Sequence, residues 1–247
     1  MGKILKNSIT LQQQLMKPYC YGSLWVYIYQ ENFKLIKKLC RSVEGKFILD
    51  VGCGGGWLLE WFGKEGATVY GLDISPEMCK AAKLRSKLNG VNYEVVCGDA
   101  ENLPIRDGAL DIVTFYAVLH HLPDFEEGLN EAMRAASRII LADEPCEVPL
   151  LSFLIIKILR NRVFKRREYS GIEGRRFNIE QLRRRLLLNG YTAIYKKIWS
   201  YVPPYFERKE RSNFLNLVYK VLHKFLMFPL FKRFGHAFIM IIEPNPQ

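Results

Sequence analysis

The chain of 247 residues has no run of the roughly 18 apolar residues that a membrane-crossing helix requires. The nearest approach, Val148 to Leu159, is short and contains Lys157, so it suits lying on a bilayer and not crossing one. No apolar segment precedes a small-residue cleavage site near the N-terminus, so a secretory leader is not expected. The six cysteines, at positions 20, 40, 53, 79, 97 and 146, include no C-x-x-C pair and have no histidine at metal spacing. This excludes a zinc module or a disulfide framework; no metal site is expected, and the thiols read as buried and reduced in an intracellular chain. Composition bias and short repeats are missing too, which removes collagen-like, coiled-coil and low-complexity classes. Acidic side chains are scarce in one part only. Residues 147–247 hold 7 Asp and Glu against 20 Lys and Arg, whereas residues 1–146 hold 18 against 16. The overall charge of +11 therefore comes from the back of the chain, which has the balance expected for an anionic partner.

What is present is a globular core, since 49% of residues are apolar and 13% aromatic. Apolar positions Leu24, Ile28, Leu35, Ile36 and Leu39 predict a helix over 24–42. Lys46 to Val51 reads as a buried strand that ends in a glycine run, followed by a helix at about 57–65. Thr68 to Leu72 is a second strand. Ser75-Pro76-Glu77 opens a helix with a capping serine, a proline at the first turn and an acid facing the positive dipole end. Tyr93–Cys97, Leu110–Tyr116 and Arg138–Ala142 continue the strands, with a helix over 124–137. Strands alternating with helices in this way predict an α/β fold with a mostly parallel sheet covered on both faces. After Pro145 the rhythm breaks. Asn178 caps a helix through Leu188, Tyr191–Trp199 is a strand, Ser212–Phe228 a helix and His236–Ile242 the last strand. The expected organisation is one domain: a helical cap over 1–45, a core over 46–146, and two basic, apolar inserts over 147–177 and 202–234.

The string Asp50-Val51-Gly52-Cys53-Gly54-Gly55-Gly56 joins a strand to a helix, where glycines let the backbone turn sharply and approach a ligand. A dehydrogenase G-x-G-x-x-G pattern would need glycine at 57, where Trp57 stands. Asp73 ends the second strand, placed to accept from both hydroxyls of a ribose. Asp99, in Cys97-Gly98-Asp99-Ala100, follows the third strand and could accept from an adenine amino group. With I-L-D-V-G-C-G-G-G, G-L-D-I-S-P-E-M, G-D-A-E-N-L-P, D-I-V-T-F-Y-A-V-L-H-H-L-P-D and L-A-D-E-P in order from Phe47 to Pro145, the chain resembles the class I S-adenosylmethionine-dependent methyltransferases. The small-molecule branch that includes quinone-biosynthesis enzymes is closest in style. Residues Arg176 to Leu182 and Gly190-Tyr191 resemble the segment before that branch's sixth strand.

The resemblance implies a Rossmann-like sheet of seven strands with the last antiparallel, and S-adenosylmethionine as cofactor. Gly52, Cys53 and Gly54 would contact its methionyl part, and Asp50 would brace the loop or reach the amino group. Asp73 would hold the ribose and Ile74 would cover an adenine face. Asp99 and Ala100 would recognise the adenine edge, while Tyr116 and Ala117 would border the sulfonium.

Methyl transfer from a sulfonium is an in-line displacement whose leaving group departs neutral, so the protein mainly aligns the reactants and excludes water. A base is needed only where the acceptor must lose a proton. His120 and His121 are the candidates, as base or as orienting group; alternatively one ring caps the helix while the other packs. Glu144 is a second candidate base. Pro203-Pro204-Tyr205 has the look of an amino-methylating tetrapeptide but lacks the preceding Asn or Asp. Asp143-Glu144-Pro145-Cys146 spells the D-x-P-C of RNA cytosine methyltransferases but follows the wrong strand, so Cys146 reads as an ordinary thiol.

The inserts couple Leu150, Leu151, Phe153, Leu154, Ile155 and Ile156 to five cations downstream, and Phe214, Leu215, Leu217, Val218, Val221, Leu222, Phe225 and Leu226 to Lys220, Lys224 and His223. Apolar residues at such spacing ordinarily pack in a core or lid, and Arg183-Arg184-Arg185 reads as a solvated face. They also fit a surface that docks on an anionic membrane and collects a small, lipid-like acceptor, with the chain cytoplasmic or peripheral to the membrane. An RNA methyltransferase using the same cations, and a binding protein without turnover, are the rival readings. Oligomeric state has no signature in the sequence.

Overall fold

The inner strands of a seven-stranded sheet carry continuous apolar stretches that burial on both faces satisfies, while the two edge strands, residues 94–97 and 191–198, leave much of their surface exposed. The structure, a computed structural model, describes residues 23–40, 42–147, 175–199, 213–228 and 235–246. The strands are β1 (Phe47–Val51), β2 (Thr68–Asp73), β3 (Glu94–Cys97), β4 (Leu110–Tyr116), β5 (Ala136–Pro145), β6 (Tyr191–Ile198) and β7 (Ala237–Pro244). The helices are α1 (Ser23–Cys40), α2 (Trp57–Lys64), α3 (Pro76–Asn89), α4 (Phe125–Ala135), α5 (Ile179–Leu188) and α6 (Asn213–Leu226). Strand order is β3-β2-β1-β4-β5-β7-β6. β1 through β5 pair in parallel, and β7 runs antiparallel between β5 and β6. This is the α/β, Rossmann-like sheet expected from the sequence, antiparallel last strand included.

Alternation along the strands divides the core in two. Leu49, Val51, Phe115, Leu141 and Phe238 face α4 and α5, against Leu129, Leu182 and Leu186. Ile48, Ile112, Ile140, Ile239 and Ile241 face the other way, against Phe33 and Ile36 of α1, Leu59 and Phe62 of α2 and Ala82 of α3. Fully burying a phenylalanine such as Phe62 or Phe115 contributes about 1.5–3 kcal/mol.

Local signals fix the helix ends. Ser75 Oγ accepts from Met78 N at 3.3 Å, and Pro76 is the first residue of α3. Asp124 accepts from Glu126 N (3.0 Å) and Glu127 N (3.2 Å) to open α4, and Asn178 from Gln181 N (3.1 Å) to open α5. The join between α4 and β5 differs from expectation. The helix ends at Ala135 and the strand runs from Ala136 to Pro145, well beyond Ala142. It passes through a bulge, in which β7 advances two residues, from Met240 to Phe238, while β5 advances three, from Leu141 to Glu144. Asp143, at φ 56°, supplies the extra residue.

Two expectations are corrected. The apolar residues of α6 are not core: Phe214, Leu217, Val218, Val221, Leu222 and Phe225 are exposed, and the helix buries Tyr219 and His223 instead. Of the cysteines, Cys97 is exposed because β3 is an edge strand, while Cys40, Cys53, Cys79 and Cys146 are buried thiols without disulfides. The arginines at 183–185 are solvated, as expected. Among the described residues no helix is long and apolar enough to cross a membrane. Residues 1–22, including Tyr19 and Tyr21, the side chain of Trp25, residues 148–174 of the first insert, and residues 202–212 and 229–234 of the second lie outside the described residues.

Candidate active site

Chain crossovers leave β1 in one direction towards β2 and in the other towards β4, which opens a crevice at the carboxyl ends of those strands. The glycine loop lies there. Gly52, Gly54 and Gly56 have φ of 69°, 50° and 81°, a region that L side chains rarely adopt. At Gly52 space is also lacking, since a Cβ would sit 2.4 Å from Val118 Cγ2. Gly52 N and Cys53 N both donate to Leu72 O, at 2.7 and 3.0 Å, which ties the loop to β2.

Asp73 is the joint between the neighbouring turns. Its Oδ2 accepts from Gly54 N at 2.8 Å and its Oδ1 from Ser75 N at 2.9 Å. Ile74 follows with 75% of its surface exposed, an aliphatic side chain uncovered at the rim of the crevice. Gly98 N donates to Asp73 O at 3.1 Å and so brings the end of β3 alongside; Asp99 Oδ1 there accepts from Glu101 N at 2.9 Å, and Ala100 is buried.

Asp50 lies beneath the loop, buried, with Oδ1 accepting from Thr114 Oγ1 at 2.7 Å. Burial pushes its carboxyl up to about 7, the Thr114 hydroxyl opposes that, and the nearby Asp73 charge adds to it. A cavity of about 20 Å³, room for one water, is bounded by Asp50, Gly52 and Cys53 and by the rings of Tyr29, Phe33, Trp57 and Tyr116. No lysine or arginine lines it. Tyr116 Oη accepts from Asn32 Nδ2 of α1 at 2.8 Å, and Arg85, which pairs with Glu60 at 2.6 Å, lies 3.7 Å over Trp57.

Beyond β4, Ala117 takes φ 55° and the chain makes a 3₁₀ turn over Leu119–His121. Glu144 organises this turn. Fully buried, it accepts from the backbone N–H of Val118 (2.9 Å), Leu119 (2.8 Å) and His120 (3.1 Å), and from His120 Nδ1 at 2.8 Å. A carboxylate only accepts, so Nδ1 of His120 carries a proton, and in the neutral ring Nε2 is the acceptor. His121 stacks on His120 with ring centroids 3.9 Å apart. Desolvation, and then the charge of His120, hold its imidazole below the ordinary value. The expectation of Glu144 as a base is corrected: with its oxygens committed to four donors, it holds the histidine turn in place. Cys146 is also buried, its Sγ 3.6 Å from Gly235 O and its thiol pushed up by burial, which leaves it inert as a nucleophile.

The fold thus brings Asp50, Gly52, Cys53 and Tyr116 around one cavity, hangs Gly54 on Asp73, and sets Ile74, Asp99 and Ala100 along the same rim. Val118 against Gly52 carries the His120–His121 turn to its edge. Missed in the sequence were Tyr29, Asn32 and Phe33; an aromatic pair four apart in α1 was the available signal. Among the described residues no cluster of His, Cys, Asp and Glu could hold a metal ion.

Residues 49–138 match the family model of the methyltransferase domain. The chain is similar to the ubiquinone biosynthesis O-methyltransferase of Escherichia coli O7:K1, with 44% identity over 133 residues, covering 49% of this chain and 55% of that one. It is also similar to the enzyme of that name from Chromobacterium violaceum, with 40% identity over 100 residues, covering 40% and 41%. The chain thus spans about half the length, or less, of the curated relatives it matches. Among solved structures, magnesium protoporphyrin IX methyltransferase from Synechocystis PCC 6803, with S-adenosylhomocysteine bound, superposes at a TM-score of 0.60. That match has 16% identity and covers 97% of this chain and 95% of that one, a likeness of fold. The match to a methyltransferase domain over residues 49–138 falls within the stretch, Phe47 to Pro145, that carries the sequence motifs.

Proposed function

We propose that the protein transfers a methyl group from S-adenosylmethionine to the oxygen of a small, apolar, lipid-like acceptor. The observation that carries this reading is the charge of the crevice: a glycine loop flanked by Asp50 and Asp73, with no lysine or arginine on the cavity wall. Such a wall disfavours a phosphate-bearing coenzyme and favours a nucleoside with a cationic tail. The residues fit that group. Asp73 and Asp99 are acceptors with lone pairs to spare for ribose hydroxyls and an amino edge, and uncovered Ile74 offers an apolar face to a purine. Gly52, Cys53 and Gly54 would follow the methionyl chain, with Asp50 braced by Thr114 beneath them and Tyr116 and Ala117 at the sulfonium.

When bound, the cofactor supplies an electrophilic methyl group. The chain's own residues do the remainder: the aromatic wall of Tyr29, Phe33, Trp57 and Tyr116 excludes water, and Asn32 fixes the Tyr116 hydroxyl. In neutral His120 the bond from Nδ1 to Glu144 places the free lone pair on Nε2, which can accept the proton of an acceptor hydroxyl. His121 lies against it and orients the acceptor. The names of the relatives support an oxygen acceptor.

Calorimetry tests the reading. S-adenosylhomocysteine should bind, Asp73→Ala should weaken that binding at least about tenfold, the loss of a charge-assisted bond pair, and NADH should give no heat. Binding of NADH in preference to the thioether would refute it.

A further inference from the structure

Helix α6 is inverted relative to a core helix. Phe214, Leu217, Val218, Val221 and Leu222 recur at spacings of three and four, share one face, and point away from the protein, with 72% of Phe214 and 60% of Leu217 and Val221 exposed. The opposite side attaches the helix. His223 Nε2 lies 2.8 Å from Trp199 O and Nδ1 3.3 Å from Tyr27 Oη, and Tyr219 is buried with Leu24 and Ile28 of α1. An aliphatic stripe turned outward contributes nothing to folding in water, so its use lies in what covers it.

Charge identifies the cover. No acidic residue occurs in α6; exposed Lys224 borders the stripe, while Lys220, 5.5 Å from the Tyr27 ring, adds its charge on the side that meets α1. Across residues 202–234 the sequence has seven lysines and arginines against two glutamates. A second copy of the chain would bring like charge to like charge. Nucleic acid would match the cations and leave the stripe in water. A bilayer with acidic headgroups matches both at once.

We propose that the outward face of α6 docks the protein on an anionic lipid bilayer, with Phe214, Leu217 and Val221 at the acyl boundary and Lys224 against the headgroups. The docked helix is seated on α1, the helix whose Tyr29 and Phe33 wall the cavity, so a lipid-like acceptor has a short route to the crevice. That last step rests on the methyl-transfer reading. The docking itself does not, and it is measured without cofactor or acceptor.

The test is co-sedimentation of the full chain with vesicles of phosphatidylcholine alone or mixed with phosphatidylglycerol. Binding should occur on the mixed vesicles and fall with added salt. The double variant Leu217→Glu/Val221→Glu should bind at least about tenfold more weakly, with an unchanged thermal midpoint, because both positions are exposed. Three results would overturn the proposal: no binding to mixed vesicles at low salt, equal binding by the double variant, or a dimer in sedimentation velocity that the double variant splits.

Discussion

Removing the Glu144 carboxylate tests the coupling between fold and chemistry at one atom group. In Glu144→Ala, three backbone N–H groups and His120 Nδ1 lose the fully buried carboxylate that accepts from them. Breaking a buried charged network in this way costs about 3–5 kcal/mol, which for a chain of this size lowers the thermal midpoint by roughly 6–20 °C. Glu144→Gln separates the two roles. Its amide oxygen can serve either the Val118 and Leu119 N–H groups or His120, and its NH₂ meets donors on the other side, so the cost is about 1–3 kcal/mol. With the NH₂ towards the ring, His120 must carry its proton on Nε2 and can no longer accept one. The variant should therefore stay folded and bind S-adenosylhomocysteine, while kcat falls by about 10²-fold or more. Urea unfolding and single-turnover methyl transfer measure these separately. Wild-type stability in Glu144→Ala, or wild-type kcat in Glu144→Gln, would refute the reasoning.

Gly52→Ala should destabilise by about 2–4 kcal/mol, from left-handed strain and the overlap with Val118; adding Val118→Ala should recover the overlap part alone, read by urea midpoints. Asp50 makes stability depend on pH. Its carboxyl, ordinarily near 3.8, is raised to about 7 by burial in the folded state. The native state therefore holds the proton more tightly, and stability is full below about 4 and lost as pH rises through about 7, by on the order of 4 kcal/mol. Asp50→Asn should flatten that slope in thermal melts taken across the range. Among the described cysteines only Cys97 should react quickly with a thiol reagent in the native protein, as mass spectrometry of the labelled peptides will show; rapid labelling of Cys146 would contradict its burial.

The sheet was legible because strand signals are local: short apolar runs ending in Gly52 or Asp73, and caps at Ser75, Asp124 and Asn178 that bond where their spacing indicates. The glycine loop and its acids were legible for the same reason, as they lie at strand ends set by topology. Direction was not legible. The periodicity of α6 defines a stripe but says nothing of whether it faces protein or solvent, and the polar anchor Tyr219–His223 becomes visible only against Tyr27, some 196 positions away from His223. Glu144 likewise reads as one more acid after a strand until the turn that donates to it is in place. Asn32, Tyr29 and Phe33 reach the cavity through helix packing, which single-sequence periodicity does not encode.

The extra residue at Asp143 decides which side of the sheet Glu144 serves. Side chains alternate along a strand, so with Asp143 drawn into a regular pleat position 144 would lie on the α1–α2 side, remote from the histidine turn, and would not share a face with Phe238. Parity, and not identity, delivers the carboxylate to its donors. In such a strand a residue looped out and a residue deleted are equivalent, since either keeps the carboxylate on the face of Leu141 and Phe238, and only a register that takes Asp143 into the pleat would turn it away.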